Sequence, residues 1–195
     1  DVIYVVTSNI ITVLIASLNV ILRSLQIFLR KHLLLFNSIT SGGCMVIGDL
    51  AQQEFEYRSK YLSHRYDVGR LCRMFIVGLG LGPLHHYYYK YLDILVPKVN
   101  VKTTIFKILC DQGFAAPLTI VTFFYGMAIL ENKTLVESTE EFKQKFGLVY
   151  LGDWIYWPPV QFINFYYLPS QYRVFYINVA TMLYNAFLSY MKHFY

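Results

Sequence analysis

The chain has 195 residues, of which 56% are hydrophobic and 18% aromatic while only 15% are charged. A soluble domain carries about 25% charged residues, so a mean hydropathy of +0.41 excludes an ordinary water-soluble domain and points to a membrane protein. The net charge of +5 is spread along the chain and names no partner beyond the lipid bilayer.

Val2 to Leu22 is a charge-free apolar run, long enough for a bilayer, which takes about 20 residues. No Met precedes Met45, so this run is expected to be an internal start, a leader or an extension. Arg23, Arg30 and Lys31, with almost no acid nearby, resemble the basic start of a mitochondrial targeting segment. Residues 1–32 are therefore set apart from a single bundle domain over 33–195.

From Leu33 to Ala51 the sequence is apolar and carries Gly42, Gly43 and Gly48 beside Ser41 and Cys44, small residues that let helix backbones approach in lipid. The next stretch, QQEFEYRSKYLSHRYDVGRLCR, is polar and net basic. Its Arg58, Lys60, Arg65, Arg70 and Arg73 form a candidate RNA-facing loop, because cations engage phosphate without reading sequence. Glu54, Glu56 and Asp67 dilute that charge, as on a merely solvated loop.

MFIVGLGLGPLHHYYYKYLD follows, from Met74 to Asp93. Its glycines do not fit the GxGxxG spacing of a dinucleotide loop; Gly78 and Gly82 form a GxxxG pair instead, a helix-packing device. The spacing predicts that the first two spans after Leu33 cross at Gly43, Gly48, Gly78 and Gly82. The His and Tyr cluster at the end of this span reads as an interfacial belt.

Thr104 to Leu130 is the third span. Lys107 and Asp111 stand four apart inside it and share a face. Ionisable groups at membrane depth face a bundle interior or a cavity, which makes both functional candidates; the alternative is a structural ion pair near the membrane edge. ENKTLVESTEEFKQKFGLVYLGD is amphipathic, with Leu135, Phe142 and Phe146 close to one helical face, and is expected to lie at the interface.

DWIYWPPVQFINFYYLP then sets amides and prolines among rings. Pro158 and Pro159 suit the first positions of a new helical piece, where their missing N–H groups would be unpaired anyway. Gln161, Asn164 and Leu168 form a stripe at helical spacing, and Asp153 and Trp157 extend it if the helix runs through the prolines. Such amides either join helices or line a conduit. Pro169 breaks the chain, Arg173 marks a boundary, and Val174 to Met191 is apolar again. The expected fold is all-α: a polytopic membrane helix bundle with four to five spanning helices. Lys and Arg are balanced between alternating loops, so charge does not orient it.

Little else carries chemistry. Cys44, Cys72 and Cys110 are isolated, and His32, His64, His85, His86 and His193 show no three- or four-residue spacing suited to metal ligation. Without a nucleophile–base motif, HExxH or a phosphate loop, no catalytic residue, metal or cofactor is expected.

Several short motifs share an order and spacing: Gly48-Asp49 with Gln52-Gln53; Gly82-Pro83 with His86, Tyr89 and Asp93; Asp111-Gln112 with Pro117; and Trp157-Pro158 with Gln161, Asn164-Phe165, Pro169 and Arg173, then Asn185, Leu188 and Ser189. Together they make the chain from about Leu33 to His193 resemble the family of the 22-kilodalton peroxisomal membrane protein and its mitochondrial relative Mpv-seventeen. Tyr88 and Tyr184 stand where that family usually has Trp. YRVFYINVATMLYNAFLSYMK and EEFKQKFGLVYLGDW are most similar to its Mpv-seventeen-like protein two branch. The resemblance implies a non-enzymatic protein of the mitochondrial inner membrane that supports mitochondrial ribosome assembly and translation, with ribosomal proteins and ribosomal RNA as partners. It also implies an alternative, a channel in the mitochondrial or peroxisomal membrane, formed by one chain or a homo-oligomer. Asp49, Lys107, Asp111, Trp157, Gln161, Asn164 and Arg173 are then its candidate polar lining or interhelical contacts.

Overall fold

The computed structural model describes residues 31–193, and among them every regular element is helical. The Val2 to Leu22 run, Arg23 and Arg30 lie outside the described residues, as do the side chains of Leu188, Ser189 and His193. By its contacts the chain divides into Asp1–Phe36 and Asn37–Tyr195.

The helices are α1 (Leu33–Arg58), α2 (Val68–Leu95), α3 (Val101–Cys110), a π-helical turn (Asp111–Ala115), α4 (Ala116–Leu130), α5 (Leu135–Tyr166) and α6 (Ser170–His193). Their ends follow local chemistry. Asp67 caps α2 by accepting from the Arg70 N–H, while Asn100 with Thr103 and Thr134 with Glu137 form capping boxes at the starts of α3 and α5. Asn132, at φ 56°, takes the left-handed conformation that turns the chain between α4 and α5.

Two differences from the sequence reading concern helix continuity. The polar connection expected between the first spans shrinks to the residues between Arg58 and Val68, because α1 and α2 extend into it from both sides. Pro158 and Pro159 do not begin a new helix; α5 runs through them for 32 residues. The expected interfacial segment is thus the first half of that rod. Phe142 and Phe146 pack on the core, whereas Leu135 is exposed.

α3, the π turn and α4 make one rod. Buried positions recur along it at Thr104, Ile108, Gln112, Ala116, Ile120, Phe124 and Ala128, a four-residue interval. That interval outruns the 3.6-residue turn, so a straight α-helix would rotate this face away from the core. A single wide turn takes back part of that drift. It also suits Pro117, which has no N–H to complete the helix there.

α5 packs on α3, α4 and α6, and α2 packs on α4 and α6. The distribution of polarity is inverted relative to a soluble protein. Ile39, Ile47, Ile76, Ile105, Ile129, Ile155 and Leu183 point outward, while Asp49, Glu56, Arg70, Lys107, Asp111, Asp153 and Arg173 are buried. Lipid accepts the former and forces the latter inward. α1 and the α3–α4 rod, of 26 and 30 residues, are each long and apolar enough to cross a membrane.

α1 and α2 approach almost backbone to backbone. A Cβ added at Gly82 would lie 2.5 Å from Ser38 Cα, and one at Gly78 2.6 Å from Gly42 Cα. The expected crossing is therefore present, with two corrections to its partners. Gly42 makes the contact, and Gly43 faces open space; Gly48 packs against Met182 and Asn185 of α6. Ala at Gly78 and Gly82 together should cost about 1–3 kcal/mol at each site, whereas Gly43→Ala should be close to neutral. Thermal unfolding in detergent checks this, and equal losses in the two variants would remove the close-packing role.

Candidate functional site

Three buried polar clusters tie the helices together. The first joins α1 to α2. Arg70 donates through Nε to Asp49 Oδ1 at 2.8 Å and through Nη1 to Glu56 Oε2 at 2.8 Å. Gln53 donates to Asp49 Oδ2 at 2.7 Å and accepts from the Asp67 N–H at 2.6 Å, while Gln52 donates to Glu56 at 3.0 Å. Glutamines one turn from each acid thus satisfy lone pairs that the guanidinium leaves over.

This geometry takes Arg70 out of the expected basic loop. Arg70 is buried and committed to two carboxylates. Arg58 and Arg65 both donate to Glu54, at 2.7 and 2.8 Å, and that carboxylate pushes the Arg65 guanidinium above its ordinary value. Arg73 stands 3.9 Å from Asp67. Of the five cations, Lys60 is an exposed residue at a positive-φ turn.

The second cluster joins α2, α3 and α6 at Asp93. Its carboxylate accepts from Lys107 Nζ at 2.7 Å, from Ser170 Oγ at 2.7 Å and from Arg173 Nη1. Arg173 also donates through Nε to the Leu168 carbonyl at 3.1 Å, and both cations lie over the Phe165 ring. Lys107 therefore pairs with Asp93 across the α2–α3 turn and not with Asp111 on its own helix.

Asp111 is free to serve the third cluster. Its Oδ2 accepts from Gln161 Nε2 at 2.8 Å; the same amide N–H2 donates to Tyr89 Oη at 2.7 Å, and Asn164 Nδ2 donates to Gln161 Oε1 at 2.9 Å. Gln161 and Asn164 are 1% and 0% exposed, so both amides face the interior as their spacing requires. One turn earlier on α5, Trp157 Nε1 donates to Asp153 Oδ1 at 3.1 Å. The continuous helix places Asp153, Trp157, Gln161 and Asn164 on one buried stripe.

That stripe borders a cavity of about 50 Å3 whose lining includes Asp111, Asp153, His85, Tyr89, Gln161 and Asn185. The His and Tyr cluster is not simply a belt, because consecutive residues on a helix point in different directions. Tyr87 and Tyr91 are exposed, but Tyr89 is buried and His85 pairs with Thr119 at 3.1 Å. Asp153 escaped the sequence-based choice of lining residues because its place depended on helix continuity through two prolines. Asn185 escaped it because its place depends on packing against α1.

Residues 128–189 match the model of the Mpv17 / PMP22 family. The chain is 35% identical to PXMP2/4 family protein 4 of Dictyostelium discoideum over 84% of its own length and 89% of the relative's. It is 32% identical to Protein SYM1 of Kluyveromyces lactis, covering 80% and 81%. To the mouse protein named mitochondrial inner membrane protein Mpv17 it is 29% identical, over 88% and 97%. No solved structure gives a significant match.

Proposed function

The chain belongs to the Mpv17 / PMP22 family, and on that premise we propose that it is a non-enzymatic protein of the mitochondrial inner membrane that passes small solutes or ions. The location follows the name of the mouse relative. In this reading α1, α2, the α3–α4 rod, α5 and α6 are five crossing segments. The less apolar ones are tolerated because their charges meet inside the bundle.

The observation that carries the conduit reading is the buried stripe on α5, where Asp153 and Gln161 border an internal cavity together with Asp111. Structural glue needs paired polar groups, yet Asp111, which lines the cavity, leaves Oδ1 without a protein partner. Groups left open toward a cavity are what a solvated path requires. Conduction needs a wider path than this cavity, reached by opening of the bundle or by assembly of several copies.

Replacing Gln161 and Asn164 by Leu tests the reading. Purified protein in planar bilayers should conduct, and the double variant should change unitary conductance or ion preference by more than its loss of stability explains. Interhelical hydrogen bonds in membranes are worth about 0.6–2 kcal/mol each. No conductance from the unaltered protein would sink the conduit. Support of ribosome assembly would then be the remaining reading, and co-purification of ribosomal RNA from solubilised mitochondria would reveal it.

A further inference from the structure

The cavity lined from α1, α2, the π turn, α4, α5 and α6 holds more acceptor capacity than the protein uses. Asp111 and Asp153 line it at 5% and 3% exposure, and no Lys or Arg is among its lining residues. The nearby cations Lys107 and Arg173 are engaged by Asp93. His85, which also borders the cavity, is hydrogen-bonded to Thr119 through Nε2. Asp111 spends one oxygen on Gln161 and leaves Oδ1 without a partner. Asn185, 0% exposed, lines the same space with neither Oδ1 nor Nδ2 partnered. Its Cβ sits against Gly48, where an added Cβ would lie 2.5 Å away, so the backbone of α1 fixes it in place.

Buried carboxylates demand a counter-charge or a proton, and buried amide oxygens demand a donor or a cation. The unclaimed acceptors here, Asp111 Oδ1 and Asn185 Oδ1, are oxygens, the hard ligands that suit alkali and alkaline-earth ions. A volume of about 50 Å3 admits only an ion with a few waters, since one water needs about 10–15 Å3 on this scale. With two carboxylates, this site falls short of the all-oxygen cage of six to eight ligands that calcium takes. We propose that this cavity binds one monovalent cation of the sodium or potassium class, which offsets one unit of the charge that Asp111 and Asp153 can carry and is coordinated through Asn185. Binding does not require conductance, so the site stands apart from the conduit reading.

The test uses the full chain, purified in detergent in choline chloride. Sodium, potassium, magnesium or calcium chloride is titrated in at constant ionic strength while the thermal midpoint and the fluorescence of Trp157 are followed, with Trp154→Phe making Trp157 the sole indole. Sodium or potassium should raise the midpoint saturably and change the fluorescence with the same affinity. Asp111→Asn and Asp153→Asn should each weaken that affinity by about thirtyfold or more, the cost of losing one partner of a buried charge pair. Sodium-23 line broadening on the unaltered chain, reversed by potassium, gives a readout that holds even if a variant misfolds. A response that does not saturate, or that only divalent ions elicit, overturns the proposal, as does unchanged affinity in both variants. A chain that conducts without saturable binding refutes the cation site alone, and one that binds without conducting refutes the conduit alone.

Discussion

Asp93→Ala should be among the most damaging single substitutions in the bundle, lowering stability by about 3–5 kcal/mol. The carboxylate holds Lys107 and Arg173, whose side chains are 3% and 4% exposed, and removing it leaves two buried cations facing each other. Lys107→Met is the informative contrast. It keeps an apolar stem against Phe165 and leaves a one-to-one pair of Asp93 with Arg173, so its loss should be much smaller. Thermal or denaturant unfolding in detergent checks the ranking. Equal losses for the two variants would mean that the charges are solvated and that the cluster is not buried.

Arg70→Ala should cost a similar amount, about 3–5 kcal/mol, for the opposite reason. It strips the guanidinium from Asp49 and Glu56, both nearly inaccessible to solvent. The expected signature is rescue by neutralisation: adding Asp49→Asn and Glu56→Gln to Arg70→Ala should restore part of the lost stability, because no bare buried carboxylate then remains. An Arg70→Ala protein as stable as its parent at neutral pH would place this cluster in water. Either variant tests the fold without reference to transport.

Composition and periodicity made the helical class legible, along with the inward turn of Gln161 and Asn164, because lipid leaves buried amides little choice. They also marked Gly78 and Gly82, since only small side chains permit a close crossing. Partner identity was not legible. Gly42 and Gly43 differ by one position on a helix, about 100° of rotation, and sequence alone did not say which faced α2. Lys107 and Asp111 share a face, yet Asp93 captures the lysine across a short turn. Arg70 looked like a loop residue because the capping aspartate and the helix it starts lie within an otherwise polar stretch. The prolines misled for a different reason. In water a Pro pair inside a helix is prohibitive, but neighbouring helices in a bundle can hold the rod together across the missing bonds.

The Asp93 cluster also bears on how the chain is assembled as it emerges from the ribosome. Asp93 and Lys107 are 14 residues apart, whereas Arg173 follows Asp93 by 80. α2 and α3 can therefore pair as a hairpin whose acid and base already neutralise each other, with no exposed charge awaiting a distant partner. Arg173 arrives last, at the start of α6, and docks on a carboxylate that the hairpin has carried to its place. α6 thus has an address on the bundle, written in the arginine of its first turn.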